Sequence, residues 1–519
     1  MSDRSIGLSI DVERCRAVLT EASARRNRRV LRTAHLDGYA NLSNNGLRLE
    51  SNIDMRPFLA LLILSRLVSP TLCQVVSGGV AQQAAPDQPG SSGVTWSLAA
   101  TGDTVSTRRV SVYESDPAFK SLVNVIRAAD AGFTNLEISL FRMASFQGYP
   151  QAESGGIWFI GPPEAAQDLK WMGFNLFNRA NNHATEYGVE GMIETDRLLD
   201  SLSLVHAGSG MTLGDATQAR YLDTSKGRFA LIGLATTFTP MSRAADPRPG
   251  AKGRPGINTL RVERKYELDP QDMKELRQIM KDLGEQVPQA EGAALEFADT
   301  KFAPGNATRV VERVDPRDEE RILRSVRNAS KQSDFVIVTS HSHEPSEEAL
   351  TAPSFLVEFS KKCIDAGADA FIVHGPHQLR GIEIYKGKPV FYSLGNFIFQ
   401  NETSDNLPSD LYESYALGEE ALPADLMNAR YKNGTVGFPA SSIWYESVVA
   451  VLYFKGHQLS ELRLYPIDLG QKAPRSQRGT PRLANKELAQ QIIQRLAALS
   501  APFETKITFE DGLGIWQRK

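Results

Sequence analysis

The stretch GADAFIVHGPHQLRGIEIYKGKPVFYSLGNFIF, residues 367–399, carries most of the information on the fold. Gly367 is well placed to end a preceding helix, and the apolar run that follows leads into His374 and His377. A second apolar pattern then turns at a Lys-Gly pair, which is typical of a β-hairpin. The stretch therefore predicts a buried strand with histidines at its carboxyl end, followed by a pair of strands.

Similar patterns lie on both sides of this stretch. Further buried strands are predicted at WSLAATGD (96–103), NLEISLF (135–141), GFNLFNRANN (173–182) and DFVIVTSHSHE (334–344). Hairpins are predicted at 220–238 and 447–469, a last helix at about 485–499 and a short strand near 505–509. Helical periodicity separates several of the buried strands, as at 119–126. Helices between buried strands predict an α/β fold, to which the late hairpins add antiparallel strands.

The composition narrows the classes of function. A net charge of −3 over 519 residues gives no overall case for nucleic-acid binding. Of the three cysteines, only Cys363 lies in the part expected to fold, so a disulfide framework or a cysteine-rich zinc site is excluded there. Five of the eight histidines sit in three short segments, as His183, His341 with His343, and His374 with His377. This clustering points to a histidine-based site.

The first 93 residues have the pattern of processing segments. Residues 1–54 are interpreted as a non-native or disordered N-terminal extension, 55–81 as a signal peptide and 82–93 as a linker. The alternative is a genuine cytoplasmic segment followed by a membrane anchor. We expect export to the periplasm, the cell envelope or the medium, and a cytoplasmic location if the segment from Met55 is not a signal.

The rest of the chain is predicted to form one main domain. It spans residues 94–470 and contains an insertion at 240–315 that is rich in Pro, Gly and charge, with one helix near 269–284. Residues 471–519 are predicted to add a helix and a strand that pack on this domain.

Polar residues recur at the carboxyl ends of the predicted strands. They are Asp103, Asn135 with Glu137, Asn182 with His183, His341, and His374 with His377. Ligands of α/β sheets gather at such strand ends. Oxygen and imidazole donors suit zinc, manganese or iron. The same residues can also move protons without a metal, as a general base and a general acid. Both interpretations stay open on the residues alone.

Several motifs resemble the CapA family, which is named for poly-γ-glutamate capsule synthesis. They are ATGDT (100–104), NLE (135–137), NNHATEYGVEGMIET (181–195) and the stretch 367–399, and the resemblance spans about residues 95–400. It implies a fold like that of the calcineurin-like metallophosphoesterases: an α/β, four-layer sandwich in which two packed mixed β-sheets are flanked by helices.

The resemblance also implies roles for particular residues. His183 and Glu137 are expected to be catalytic, with His183 as the general acid. The expected metal ligands are Asp103, Glu137, Asn182, His341 and His377, and the expected supporting residues are Asn135, Asn181, His374, His343 and Asn396.

The sequence departs from the phosphoesterase pattern at two places. Asp103-Thr104-Val105 lacks the His of the usual Asp-x-His, and Gly375-Pro376-His377 lacks the first His of the usual His-x-His. Up to two imidazole ligands are therefore missing or moved, and one metal ion, or none, fits the residues about as well as two.

A basic stretch at residues 248–266 is the predicted substrate loop. Arg254, Asn258 and Arg261 lie within it, and Arg380 is expected to join them at the mouth of the site. Arginine forks suit carboxylates, and a γ-linked glutamate polymer presents many of them. The alternative is an ordinary solvated charged loop.

Three classes of function follow from these patterns. The first is a metal-dependent hydrolase or transferase of poly-γ-glutamate or a similar anionic polymer. The second is a metal-free acid/base enzyme, for instance a peptide epimerase, and the third is a non-catalytic export or assembly factor. Membrane proteins of capsule synthesis are expected partners, and no nucleic acid is expected.

Overall fold

The computed structural model of the chain describes residues 95–345 and 349–518. The predicted extension, signal segment and linker therefore lie outside the described residues. The chain divides into two compact units, and the described part of the smaller one is Gln271–Pro304. The larger unit contains the remaining described residues and all of the predicted site residues.

The β-strands are short at the edges and long at the centre of the fold. In chain order they are β1 (Thr95–Val105), β2 (Ala131–Leu136), β3 (Ser139–Leu140), β4 (Ile160–Gly161), β5 (Leu176–Asn178), β6 (Val205–Ala207), β7 (Ser209–Gly210), β8 (Arg220–Thr224), β9 (Gly227–Ala235), β10 (Gly256–Ile257), β11 (Val262–Leu268), β12 (Leu295–Phe297), β13 (Thr300–Pro304), β14 (Arg309–Val314), β15 (Phe335–His341), β16 (Ala370–His374), β17 (Ile382–Tyr385), β18 (Lys388–Phe391), β19 (Asn396–Phe399), β20 (Glu446–Lys455), β21 (Gln458–Asp468), β22 (Arg482–Leu483), β23 (Thr508–Glu510) and β24 (Leu513–Gln517).

The helices mostly connect strands. In chain order they are α1 (Pro117–Arg127), α2 (Glu164–Met172), α3 (Gly188–Ser201), α4 (Leu213–Thr217), α5 (Pro270–Asp282), α6 (Pro316–Ala329), α7 (Ser354–Asp365), α8 (Ser409–Ser414), α9 (Pro423–Arg430) and α10 (Lys486–Ser500). Asp116 and Asp315 cap α1 and α6, because each carboxylate accepts hydrogen bonds from the first free backbone amides.

Two mixed sheets form the centre of the larger unit, beside smaller two-stranded sheets. The first runs in the order β23-β24-β21-β20-β1-β2-β5-β6, with β19 and β22 as side pairs of β1 and β21. The second runs β17-β18-β16-β15-β9-β8. Within each sheet, neighbouring strands that carry predicted site residues run parallel to each other, for example β1 and β2, or β15 and β16. Their carboxyl ends therefore reach the same edge.

Alternating side chains show how the layers stack. In β1, Leu98 and Ala100 join a core shared with Phe335 and Ile337 of β15, which places the sheets face to face. The opposite face of the first sheet packs on α1 and α2. The opposite face of the second sheet packs on α6 and α7. The arrangement is helix, sheet, sheet, helix, so the predicted α/β four-layer fold is confirmed.

Three predicted elements have different bounds in the structure. The strand predicted at 135–141 is β2, which begins at Ala131 and ends at Leu136, so Glu137 lies just beyond it. The strand predicted at 173–182 is only Leu176–Asn178, because the polar residues after it turn into the site. The final strand is a hairpin of β23 and β24, and β24 pairs with β21 of the first sheet.

The smaller unit is a helix followed by a hairpin. Helix α5 covers most of the helix predicted near 269–284, and β12 pairs with β13. Arg277 holds the connecting loop, since its guanidinium donates to four carbonyl oxygens between Pro288 and Ala293. Among the helices of the described residues, none combines the length and apolar character needed to cross a membrane.

Candidate active site

The predicted site residues lie where the two sheets bring their strand ends together. Asp103 of β1 is in register with Asn135 of β2, and His341 of β15 is in register with His374 of β16. Two contacts link the sheets: the backbone N–H of Gly375 donates to Asp103 Oδ2 at 2.9 Å, and Asn135 Nδ2 lies 3.3 Å from His341 Nδ1. Residues from distant parts of the sequence thus form one cluster.

Asp103 is a buried carboxylate among imidazoles. Its oxygens lie 3.4 Å from His377 Nδ1, 3.8 Å from His374 Nδ1 and 3.9 Å from His341 Nδ1. Burial alone would raise the pKa of Asp103. The hydrogen bond with His377 and the neighbouring histidines outweigh burial and hold this pKa well below its usual range. Asp103 is therefore an anion at neutral pH, as a metal ligand or a proton partner must be.

Glu137 occupies the centre of the cluster. Its Oε1 atom lies 3.5 Å from His341 Nε2, 3.7 Å from His183 Nε2 and 3.8 Å from His377 Nε2. Arg179 fixes the backbone on both sides of Glu137, because its Nη1 donates to the carbonyls of Leu136 and Ile138. This fully buried carboxylate reaches both the His341 side and the His183 side.

His341 has a second histidine beside each of its two ring nitrogens. His341 Nε2 lies 2.9 Å from His343 Nε2, and His341 Nδ1 lies 3.0 Å from His374 Nδ1. Burial lowers the pKa of His341 well below its ordinary value and lowers the pKa of His374 to about 4. Both rings are therefore neutral at neutral pH, and only a neutral imidazole can bind a metal.

Among the described residues, three overlapping groups of donors are close enough together to be candidates for holding a metal ion. They are Asp103 with His341 and His374, Glu137 with His341 and His343, and Asp103 with Glu137 and His377, each with ligand atoms within 4.8 Å of one another. Ligands held at about 2.0–2.2 Å from one zinc ion lie about 3–3.5 Å apart. The cluster is therefore a candidate centre for divalent ions, and His374 and His343 supply imidazoles that the sequence motifs lack.

His183 forms the other side of the site. Its Nδ1 lies 2.7 Å from Glu186 Oε1, and Glu186 also accepts the backbone N–H groups of Gly155 and Phe159. The Phe159 ring packs on the imidazole with centroids 4.7 Å apart. With Nδ1 held by a carboxylate, Nε2 is directed toward Glu137. This is the arrangement of an oriented acid/base histidine.

Glu186 was not among the site residues predicted from the sequence. Helix α3 begins only at Gly188, and the partner of His183 is a carboxylate rather than a row of helix amides. The available signal was the spacing His-x-x-Glu in the turn at 183–186.

The predicted amide residues have distinct environments. Asn182 Nδ2 donates to Gly155 O, while its buried Oδ1 has no hydrogen-bond partner among the described residues. That oxygen is available to a ligand, and the role of Asn182 as a metal ligand stays a prediction. Asn181 donates to Leu136 O and Asn135 Oδ1. Asn396 Oδ1 lies 2.9 Å from His377 Nδ1, so Asn396 orients that ring.

The predicted substrate loop needs correction. Asn258 is fully buried and donates to Gly233 O, and Arg261 is neutralised by Asp318 and Asp315. Arg380 is buried too and donates to the carbonyls of Glu344 and Ala349. These partners hold the fold together and leave the three side chains unsuited to bind a polymer. Arg254 donates to Arg243 O at the surface, and its substrate role stays a prediction.

Together, the fold and the cluster define a two-sheet α/β protein with a buried histidine–carboxylate centre. A family model described as bacterial capsule synthesis protein PGA_cap matches residues 97–401. The chain therefore belongs to the PGA_cap family, which confirms the resemblance drawn from the motifs.

Individual proteins of known sequence are also similar to this chain. The Sinorhizobium fredii protein y4sH is 43% identical over 81% of this chain and 92% of its own length. The PGA biosynthesis protein CapA of Bacillus subtilis is 28% identical over 55% of this chain and 57% of its own length. The capsule biosynthesis protein CapA of Bacillus anthracis is 25% identical over 63% of this chain and 64% of its own length. A solved structure, the NAD nucleotidase of Haemophilus influenzae, aligns with 78% of this chain and 56% of that chain at 12% identity and a TM-score of 0.29, which is too low to carry an argument.

Proposed function

We propose that this chain is a metal-dependent hydrolase or transferase that acts on poly-γ-glutamate or a similar anionic polymer of the cell envelope. The observation that carries the proposal is the trio of overlapping donor groups centred on Asp103, Glu137 and His341. The substrate class comes from the two Bacillus relatives, whose names concern PGA and capsule biosynthesis.

The chain would hold the metal with Asp103, Glu137, His341, His343, His374 and His377. Zinc, manganese or iron suits this set of oxygen and imidazole donors. Such an ion, when bound, supplies Lewis acidity that polarises a carbonyl or activates water. The buried, neutral state of His341 and His374 favours binding, because no proton must first be removed at neutral pH.

His183 would move the proton. Glu186 fixes its Nδ1, and Nε2 faces the cluster at 3.7 Å from Glu137 Oε1. In a hydrolysis or transfer at an amide bond, Nε2 takes a proton from the attacking nucleophile, Glu186 stabilises the resulting imidazolium, and Nε2 then gives that proton to the leaving nitrogen. Phe159 covers the imidazole face and limits the access of bulk water to it.

Incubation with purified poly-γ-glutamate tests this proposal. The chain is stripped with a chelator, reloaded with zinc, manganese or iron(II) in turn, and the size of the polymer and its new amine ends are measured. We expect shortened or transferred polymer only after reloading with metal. Activity that is unchanged by complete metal removal would contradict the proposal.

A second function has support from one specific observation. His183 Nε2 and Glu137 Oε1 lie 3.7 Å apart in one buried site, and such an imidazole–carboxylate pair can also remove a proton from a peptide Cα carbon and return it without a metal. Incubation of candidate peptides in deuterated water distinguishes the two functions. Epimerisation introduces deuterium at Cα and leaves the peptide bond intact, whereas hydrolysis releases new chain ends.

We also propose that the chain is exported and works beside membrane proteins of capsule synthesis. The support is the apolar segment that follows Met55 in the sequence. N-terminal sequencing of the natural protein should find a start after residue 72, near Gln82. A mature protein that begins at Ser2 would place it in the cytoplasm.

A further inference from the structure

A segment beyond the family match crosses the site. Residues 402–445, here called the covering segment, follow the match that ends at residue 401 and contain α8 and α9. Phe438 of this segment lies against His377, with ring centroids 5.5 Å apart. Arg430, the last residue of α9, donates from Nη1 to the carbonyl of Gly156 at 3.1 Å. One segment therefore contacts both the His377 side and the loop beside His183.

Short contacts connect Arg430 to the acid/base histidine. Gly156 follows Gly155, whose N–H donates to Glu186 Oε1 at 2.9 Å. The same Oε1 lies 2.7 Å from His183 Nδ1. The Arg430 guanidinium therefore contacts the same loop that donates to Glu186, the partner of His183.

The helix that carries Arg430 is held in place. Leu426, Met427 and Tyr431 are buried in the core, and the hydroxyl of Tyr431 accepts from Asn401 Nδ2 at 3.0 Å. Arg475 donates to Asn428 Oδ1 at 2.6 Å on the same helix. The position of the guanidinium is therefore set by the fold rather than by a free loop.

Arg430 has the opposite charge to the buried carboxylates of the site. Asp103, Glu137 and Glu186 are buried carboxylates, and they repel an incoming polyanion. Within the described residues, Arg430 has no ion pair with a carboxylate, and the residue is only partly buried. The guanidinium also lies 5.6 Å from the centre of the Tyr431 ring. An arginine side chain can bind a carboxylate through two parallel hydrogen bonds.

We propose that Arg430 is a specificity-determining residue that binds a substrate carboxylate next to the reacting bond. This inference rests on the proposed function and assigns its polyanion selectivity to the covering segment. In a γ-linked glutamate chain every residue carries one free α-carboxylate, so the repeat beside the reacting amide supplies the partner. In the predicted arginine loop at 248–266, Asn258 and Arg261 are engaged elsewhere and do not take this role.

Binding measurements with matched probes test the assignment. Each full-length protein carries His183→Ala to prevent turnover, and calorimetry measures its affinity for a γ-glutamyl decamer and for the same decamer with amidated carboxyls. Arg430→Gln should weaken binding of the anionic decamer on the order of tenfold and leave binding of the neutral decamer unchanged. Arg430→Lys should recover part of the loss.

The matched control is Lys432→Gln, which removes an exposed cation two residues away. We expect it to bind both decamers as the His183→Ala parent does. Equal weakening of both decamers by Arg430→Gln, or the same loss in Lys432→Gln, would overturn the role of Arg430 and leave the proposed function standing. If the parent binds no γ-glutamyl decamer, both the inference and the proposed substrate fail, whereas metal content still tests the metal centre separately.

Discussion

The two sides of the site differ in what surrounds their histidines. Around His341, imidazoles face one another at 2.9–3.0 Å with carboxylates behind them. Around His183, a single imidazole is held by Glu186 and covered by Phe159. The first environment collects neutral donors for a cation, and the second orients one ring for proton transfer. Glu137 joins the two, so one site can hold an ion and move a proton.

The His341 side should be the more sensitive to mutation. His341→Ala removes the imidazole shared by two of the three donor groups, so bound metal and activity should be lost together. We expect activity on poly-γ-glutamate to fall on the order of 10³-fold or more, since metal activation contributes several kcal/mol. His206→Gln is the matched control, because His206 contacts Asp200 away from the cluster. A metal-loaded, active His341→Ala protein would contradict the assignment.

The His183 side should lose activity without losing metal. His183→Ala removes the proton donor, and activity should drop on the order of 10²-fold, the usual scale for a general acid or base. Steady-state kinetics of the metal-loaded variant should show the loss mainly in kcat. Activity close to that of the parent would show that another group moves the proton.

Glu186→Gln should have a smaller effect. The amide oxygen can still accept from the backbone N–H of Gly155, but an amide holds the His183 proton less strongly than a carboxylate does. We expect about a tenfold loss in kcat and a displaced pH optimum, on the scale of losing a partner that orients a reactive group. A purely structural role of Glu186 would lower the melting temperature and leave the pH profile unchanged.

The smallest expected effect concerns stability. Burial lowers the pKa of His374 to about 4 from the unfolded value of 6.5. The unfolded chain thus binds this proton first as pH falls. In the metal-free protein, His374 should therefore lower the free energy of unfolding between pH 6.5 and about 4 and have no effect above that window.

Denaturant titrations of parent and His374→Gln measure this contribution, and the variant should show a shallower loss of stability toward acid. His457 serves as the control of opposite sign. Its hydrogen bond with Asp369 raises its pKa, so its stabilisation is present at low pH and is lost as pH rises above 6.5. Identical slopes in parent and His374→Gln would contradict the buried, neutral state of His374.

The sequence predicted the fold class because apolar runs and their polar ends follow from burial alone. The strand through His374 and the hairpin after it are where the pattern at 367–399 indicates. The sequence could not predict that His374 lies close to Asp103, since that contact depends on how the two sheets pack. The strand predicted at 173–182 was too long for a related reason: the residues after Asn178 bond across the site rather than along a strand.

The errors at the site also have physical causes. Glu186 was missed because a carboxylate three residues after a histidine resembles an ordinary exposed helix position. The basic stretch at 248–266 suggested a substrate loop, but Asp315 and Asp318 neutralise Arg261 from more than fifty residues further along the chain. Local charge in a sequence does not reveal such long-range pairing.

Metal content tests the central claim most directly. The parent, His183→Ala and His377→Ala are purified without added metal or a metal-affinity step, and elemental analysis gives the ions bound per chain. We predict one or two divalent ions in the parent, the same content in His183→Ala, and a reduced content in His377→Ala, whose imidazole belongs to a donor group with Asp103 and Glu137. A parent that binds no metal even when zinc, manganese or iron is supplied, or a His183→Ala protein stripped of metal while His377→Ala keeps it, would contradict the account.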